Sequence, residues 1–311
     1  MTGKVKVQPL SRAGLEPLVA MAEQLRASLP GWGDTTPIAL RGQPPSDLAL
    51  DLRHLAHHDR DGFLIASVGD EVVGFVATHV RSRQLNISQP WLLPEYMENE
   101  VAGQLVKRAV AYGERAGVSD CTAHVLGESR WQAMLFRFGL RPRFPIYRLV
   151  LTTERARVAG QAFANLKPSS ELTQDAVQRR SGAADLERLD RLARGVTRPT
   201  DHEYWLTERR LRLAKVRDGQ RIAGYAYGGY GQCGPVAAAT GDAALAALGR
   251  ALQFAADTDA AEVQVLIPAT FESAIEHLVE TGADCRASSV WMSRQAGSTL
   301  ERYVLASSTV S

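Results

Sequence analysis

The spacing of apolar residues along this chain changes many times, and the order of the changes repeats. Residues 63–80 (FLIASVGDEVVGFVATHV) and 212–230 (RLAKVRDGQRIAGYAYGGY) each read as an extended apolar run, a polar turn with Gly and Asp, and a second run. In each second run a glycine, Gly74 or Gly224, precedes an aromatic residue. This pattern predicts two β-hairpins with exposed turns at Gly69-Asp70 and Asp218-Gly219. Each hairpin is followed by a strand, a long helix, a strand, a short helix and a glycine, Gly139 or Gly282, that opens a last strand. The repeat has the size of a domain, which predicts two related domains in tandem.

The first copy begins with a predicted strand at 4–10 and helices at 13–29 and 48–60, separated by a loop rich in Pro and Gly. A strand is expected over 85–93, ended by Pro94. In the helix expected over 98–116, Val101, Leu105, Ala109, Tyr112 and Ala116 recur at helical spacing, so one face packs on a sheet, and Gly117 is its C-cap. A strand at 120–126, a helix at 129–138 and a strand at 144–151 complete the copy. Residues 152–182 lack a strong period and read as the connection into the second copy, with room for one of its strands. Then come helices at 183–193 and 205–211, the second hairpin, a helix capped by Thr240, a buried strand at 263–267 and a short helix at 271–280. The expected division is 1–152, a connection at 153–182, and 183–311; the fold class is α/β, with mixed sheets of α+β character.

Composition narrows the classes. The chain has 311 residues, 45% hydrophobic and 23% charged, enough for two domains that each bury a core. No apolar run approaches the roughly 18 residues of a membrane span, and the first residues lack the apolar stretch of a secretion signal. The three cysteines, Cys121, Cys233 and Cys285, form no close pair, which points to reduced thiols in a cytoplasmic protein. A net charge of +2 is too mild to argue for nucleic acid. Neither a membrane nor a metal is expected as a partner.

The order of elements, with Pro94-Glu95-Tyr96 between the fourth strand and the long helix, resembles the GNAT superfamily of N-acetyltransferases. The later part, LDRLARGVTRPTDHEYWL, the hairpin, CGPVAAA and WMSR, is similar to the C-terminal domain of two-domain bacterial members. The resemblance implies two GNAT-like acyl-CoA N-acyltransferase domains in tandem, with acetyl-CoA or another acyl-CoA as co-substrate and an amine on a small molecule or peptide as acceptor. It implies that acyl-CoA lies where two strands splay apart, with phosphates at the start of the long helix, where unpaired amides and the helix dipole attract anions. Cofactor contacts then fall on Leu92, Leu93, Asn99, Val101, Ala102 and Gly103. The family's phosphate loop sets a basic residue, a Gly and a Gly or Ala where this chain has Met97, Glu100 and Ala102. The family's tyrosine acid is replaced by Leu135 in the first copy and Leu278 in the second.

Acyl transfer to an amine needs a base, and His124 and Glu128, on and just past the strand that would line the cofactor gap, are the candidates. Each also reads as an ordinary residue, a satisfied strand histidine and a helix N-terminal carboxylate. His54, His57 and His58 share a helical face without the third ligand a zinc site requires, which predicts a solvated face. Tyr225 and Tyr227 alternate on one face of the second hairpin and read as core, or as a pocket wall beside the following glycines. The alternative to an acyltransferase is a non-catalytic tandem GNAT-like protein that binds a ligand or partner.

Overall fold

A computed structural model describes residues 4–10, 14–32, 47–97, 100–126, 129–167, 169–172, 180–297 and 299–310. The chain forms two compact units, Met1–Arg143 with Val290–Ala296, and Phe144–Ser289 with Gly297–Ser311.

In the first unit the elements are β1 (Val5–Pro9), α1 (Leu15–Ala27), α2 (Asp47–His58), β2 (Phe63–Val68), β3 (Glu71–Arg81), β4 (Gln84–Ile87), β5 (Trp91–Leu92), α3 (Glu100–Arg115), β6 (Asp120–Leu126) and α4 (Ser129–Phe136). The sheet runs β1-β2-β3-β4-β6, antiparallel except for the parallel pair β4–β6, and β5 pairs with β3. The amide of Arg294 donates to Cys121 O, so the segment Val290–Ala296 continues the sheet beside β6. α3 has the expected stripe: Val101, Ala102, Leu105, Val106 and Ala109 pack with Val76, Leu85, Ile87, Cys121, Ala123 and Val125. On the other face α2 lies against β3.

The second unit holds most of β7 (Arg141–Thr152), then α5 (Thr153–Ala164), β8 (Ser169–Leu172), α6 (Arg180–Arg194), α7 (Pro199–Thr207), β9 (Arg212–Asp218), β10 (Arg221–Gly229), β11 (Gln232–Ala238), α8 (Gly241–Ala256), β12 (Glu262–Pro268), α9 (Glu272–Glu280), the first part of β13 (Asp284–Ser293), and β14 (Tyr303–Val304). Strands follow the order β7-β12-β11-β10-β9-β8, with β11–β12 parallel.

Both hairpins are present, and both turns are exposed, with Gly69 at φ +62 and Gly219 at φ +60. In each the ladder slips beside the residue preceding the repeated glycine, Val73 or Ala223. Gly74 then pairs with Leu92 and Gly224 with Ala238, so the two glycines hold equivalent places. A Cβ on Gly74 would sit 2.6 Å from Trp91 O, and that close approach is why glycine is needed there.

Several elements differ from expectation. The strand expected over 85–93 breaks into β4 and β5, because Ser88 to Pro90 stay with β3 only through Ser88. The helix expected at 205–211 is Pro199–Thr207, with Pro199 in its first turn, where a missing amide costs nothing. The stretch read as connection contains the helix α5, capped by Thr152 Oγ1 accepting from Arg155 N. Its buried stripe, Ala156, Ala159, Gly160 and Phe163, is mostly small residues with little hydrophobic signal. Those small residues permit a close crossing with α8, where a Cβ on Gly249 would lie 2.7 Å from Gly160 O.

Candidate functional site

β4 and β6 pair in parallel from Gln84↔Asp120 to Ile87↔Ala123 and then part. The chain after Ile87 stays with β3: Ser88 N and Oγ donate to Ala77 O at 3.1 and 2.6 Å, and Leu93 N donates to Val73 O. β6 meanwhile continues to Leu126. Among the described residues no strand enters the gap so formed; the Leu126 amide donates to Gln89 Oε1 at 3.0 Å. A 3-10 turn at Pro94–Tyr96 leads from β5 into α3, and Leu92, Tyr96, Val101 and Ala102 share one buried cluster.

Of the residues expected to hold acyl-CoA, Leu92, Val101 and Ala102 are buried with their side chains in the core, and Leu93 is half-buried. Gly103 faces open space, with no atom within 4 Å of a built Cβ. The side chain of Glu100 is exposed. Asn99 and Glu98 lie outside the described residues, as does Glu128. Leu135 and Leu278 are fully buried in apolar clusters and cannot serve as acids.

His124 is fully buried on β6, on the sheet face opposite α3, with its ring centroid 6.4 Å from that of Trp291. The same face carries a buried polar row that sequence reasoning missed: His79 on β3 pairs with Asn86 on β4, which pairs with Thr122 on β6. Asn86 Nδ2 donates to Thr122 Oγ1 at 3.1 Å. The α2 histidines do not form a uniformly solvated face, since His54 is 1% exposed while His57 and His58 are open. Among the described residues no group of three His, Cys, Asp or Glu is arranged to hold a metal, and no helix is long and apolar enough to cross a membrane.

In the second unit the corresponding gap has an occupant. β11 and β12 pair at Gln232↔Gln264 and Cys233↔Val265, and β14 then runs between them. It pairs with β11 at Val236↔Val304 and Ala237↔Tyr303, and Leu305 N donates to Leu266 O of β12 at 3.0 Å. Tyr303, Val304 and Leu305 are fully buried.

Beneath β14 lies a second buried network. Asp190 Oδ2 is 2.8 Å from His202 Nε2, His202 Nδ1 is 2.9 Å from Tyr227 Oη, and Tyr225 Oη donates to Asp190 Oδ1 at 2.5 Å. Arg198 Nη2 donates to Tyr303 Oη at 2.5 Å and is 3.8 Å from Asp190. Burial pushes the Asp190 carboxyl up, but His202 and Arg198, with the hydrogen bonds from His202 and Tyr225, outweigh it and hold the group below the ordinary range. Burial and the nearby carboxylate raise the Tyr225 and Tyr227 phenols well above theirs. Tyr225 and Tyr227 thus face a charge network and not a pocket wall. A signal was available: Asp190 and Arg194 sit at helical spacing from Leu186 and Leu189, so charges interrupt an apolar stripe.

No protein-family model matches the chain, and no curated protein matches it in sequence. Solved structures do. A putative acetyltransferase from Pyrococcus horikoshii matches 100% of this chain and 97% of its own at 16% identity and a TM-score of 0.74. A tandem GNAT protein from the clavulanic acid biosynthesis pathway matches over 94% of this chain and 99% of its own, at 16% identity and a TM-score of 0.57. A GCN5-related N-acetyltransferase from Sphaerobacter thermophilus matches over 93% and 95%, at 14% identity and a TM-score of 0.59. The chain has the fold of the GNAT N-acetyltransferases, built twice in tandem.

Proposed function

We propose that the chain is a cytoplasmic acyl-CoA-dependent N-acyltransferase whose first copy carries the site. The observation behind this reading is the contrast between the two gaps: the one between β4 and β6 takes no strand among the described residues, while its counterpart is filled by β14. The residues present fit an acyl-CoA arm in the first gap. The Leu126 amide faces it, the first turn of α3 supplies amides without partners inside the helix, and the Glu100 carboxylate is turned to solvent. Acyl-CoA supplies an activated thioester. His124 would take the proton of an acceptor amine, alone or through water, with Glu128 as the other candidate. The acceptor is an amine on a small molecule or peptide.

Calorimetric titration with acetyl-CoA and with CoA tests the reading, with one site per chain expected. Replacing Glu100 with Gly removes a negative charge and a side chain beside the α3 amides, and should tighten binding by on the order of 1 kcal/mol, several-fold in affinity. The burial of Leu135 and Leu278 in apolar clusters favours a second reading, a non-catalytic ligand- or partner-binding protein. Absence of CoA binding at millimolar concentration would select that second reading.

A further inference from the structure

Gln89 sits where β4 and β6 part, 4% exposed, with its side-chain carbonyl on the Leu126 amide at 3.0 Å. The residues around it explain why a side chain, and not the backbone, makes this bond. Ile87 is the last residue of β4 in register with β6, and the chain after it turns to β3, where Ser88 is tied to Ala77, so the ladder that would offer Leu126 a backbone carbonyl has ended. A buried strand amide left without an acceptor costs more than the net worth of the bond that satisfies it. Gln89 reaches across the gap and satisfies it. Its carboxamide belongs to the same chemical class as the amides in the arm of CoA, so the two are competitors for one N–H.

We propose that Gln89 is a resident stand-in for the amide-bearing arm of acyl-CoA, and that the ligand enters by displacing its side chain from Leu126. This rests on the acyl-CoA reading of the first copy. The affinity of the site is then set partly by the cost of breaking the Gln89–Leu126 bond. In Gln89→Ala the Leu126 amide has no partner until the ligand arrives, and the ligand gains what the wild-type protein already has.

The test is titration of wild-type, Gln89→Ala and Gln89→Glu proteins with CoA and with its adenosine 3′-phosphate 5′-diphosphate fragment, which lacks the amide arm. Gln89→Ala should bind CoA about fivefold more tightly than wild type, the net value of one hydrogen bond, with the fragment unchanged. Gln89→Glu keeps an acceptor on Leu126 and should show no gain. Hydrogen exchange at the Leu126 amide should be fast in ligand-free Gln89→Ala and slow again with CoA. Equal CoA affinity in wild type and Gln89→Ala overturns the proposal, as does an equal gain for the fragment. If Gln89→Ala does not fold, Gln89→Asn, too short to reach Leu126, takes its place under the same criteria. Failure of wild type and variants alike to bind CoA would overturn the acyl-CoA reading, a result distinct from equal binding.

Discussion

Asp190 shows how much a single buried side chain can organise. It is fully buried, accepts from Tyr225, pairs with His202 and lies near Arg198, which in turn holds Tyr303 of β14. Removing one member of such a network leaves the others buried and uncompensated, a loss of about 3 kcal/mol or more. The sign of its pH dependence follows from a folded pKa below the unfolded one: the contribution is complete above about pH 4 and is lost as pH falls through the folded value. Thermal melts of wild type and Asp190→Asn should therefore differ widely at pH 7 and converge in acid. A gap that stays constant down to pH 2 would contradict the ionised state assigned to Asp190. Residues of this kind were the least legible in the sequence, since a charge on a helix usually means a solvated face. His54 shows the same effect, placed by its neighbours on a face expected to be wet and found buried.

Elements were read more easily where their signal was strong. Both hairpins, α3, α8 and the short helices before Gly139 and Gly282 follow directly from apolar period, turn glycines and caps. α5 was missed because its contact stripe is Ala and Gly, and β14 because two residues carry no period at all. Yet both pack tightly. A Cβ on Gly249 would lie 2.5 Å from Ala164 N and 2.7 Å from Gly160 O, both backbone atoms of α5, so Gly249→Val should force α5 and α8 apart. A loss of about 3 kcal/mol, read as a lower denaturant midpoint, is expected from overpacking of this kind. For β14, deletion of residues 299–311 exposes the facing edges of β11 and β12 and leaves Arg198 without its phenol. The truncated chain should lose the cooperative melt of the second unit, and retention of that melt would show β14 to be dispensable.

The whole molecule is less divisible than its repeat suggests. The first unit includes Val290–Ala296, and within that segment Trp291 is 4% exposed and Met292 fully buried. Each such side chain contributes roughly 1.5–3 kcal/mol on burial, a large part of the margin of a single domain. A fragment of residues 1–152 lacks both. Circular dichroism of that fragment should show no cooperative melt, and a sharp transition near that of the intact protein would contradict this. WMSR was read with the C-terminal copy from its place in the chain, and no local pattern in it signals that Val290–Ala296 belongs to the first unit. One effect is on synthesis. The first unit is missing its last strand until about 150 further residues have been translated, on the order of ten seconds at ordinary elongation rates. Until then the half-built sheet presents β6 with an open edge, and the nascent chain must be kept from pairing with neighbours on the same polysome.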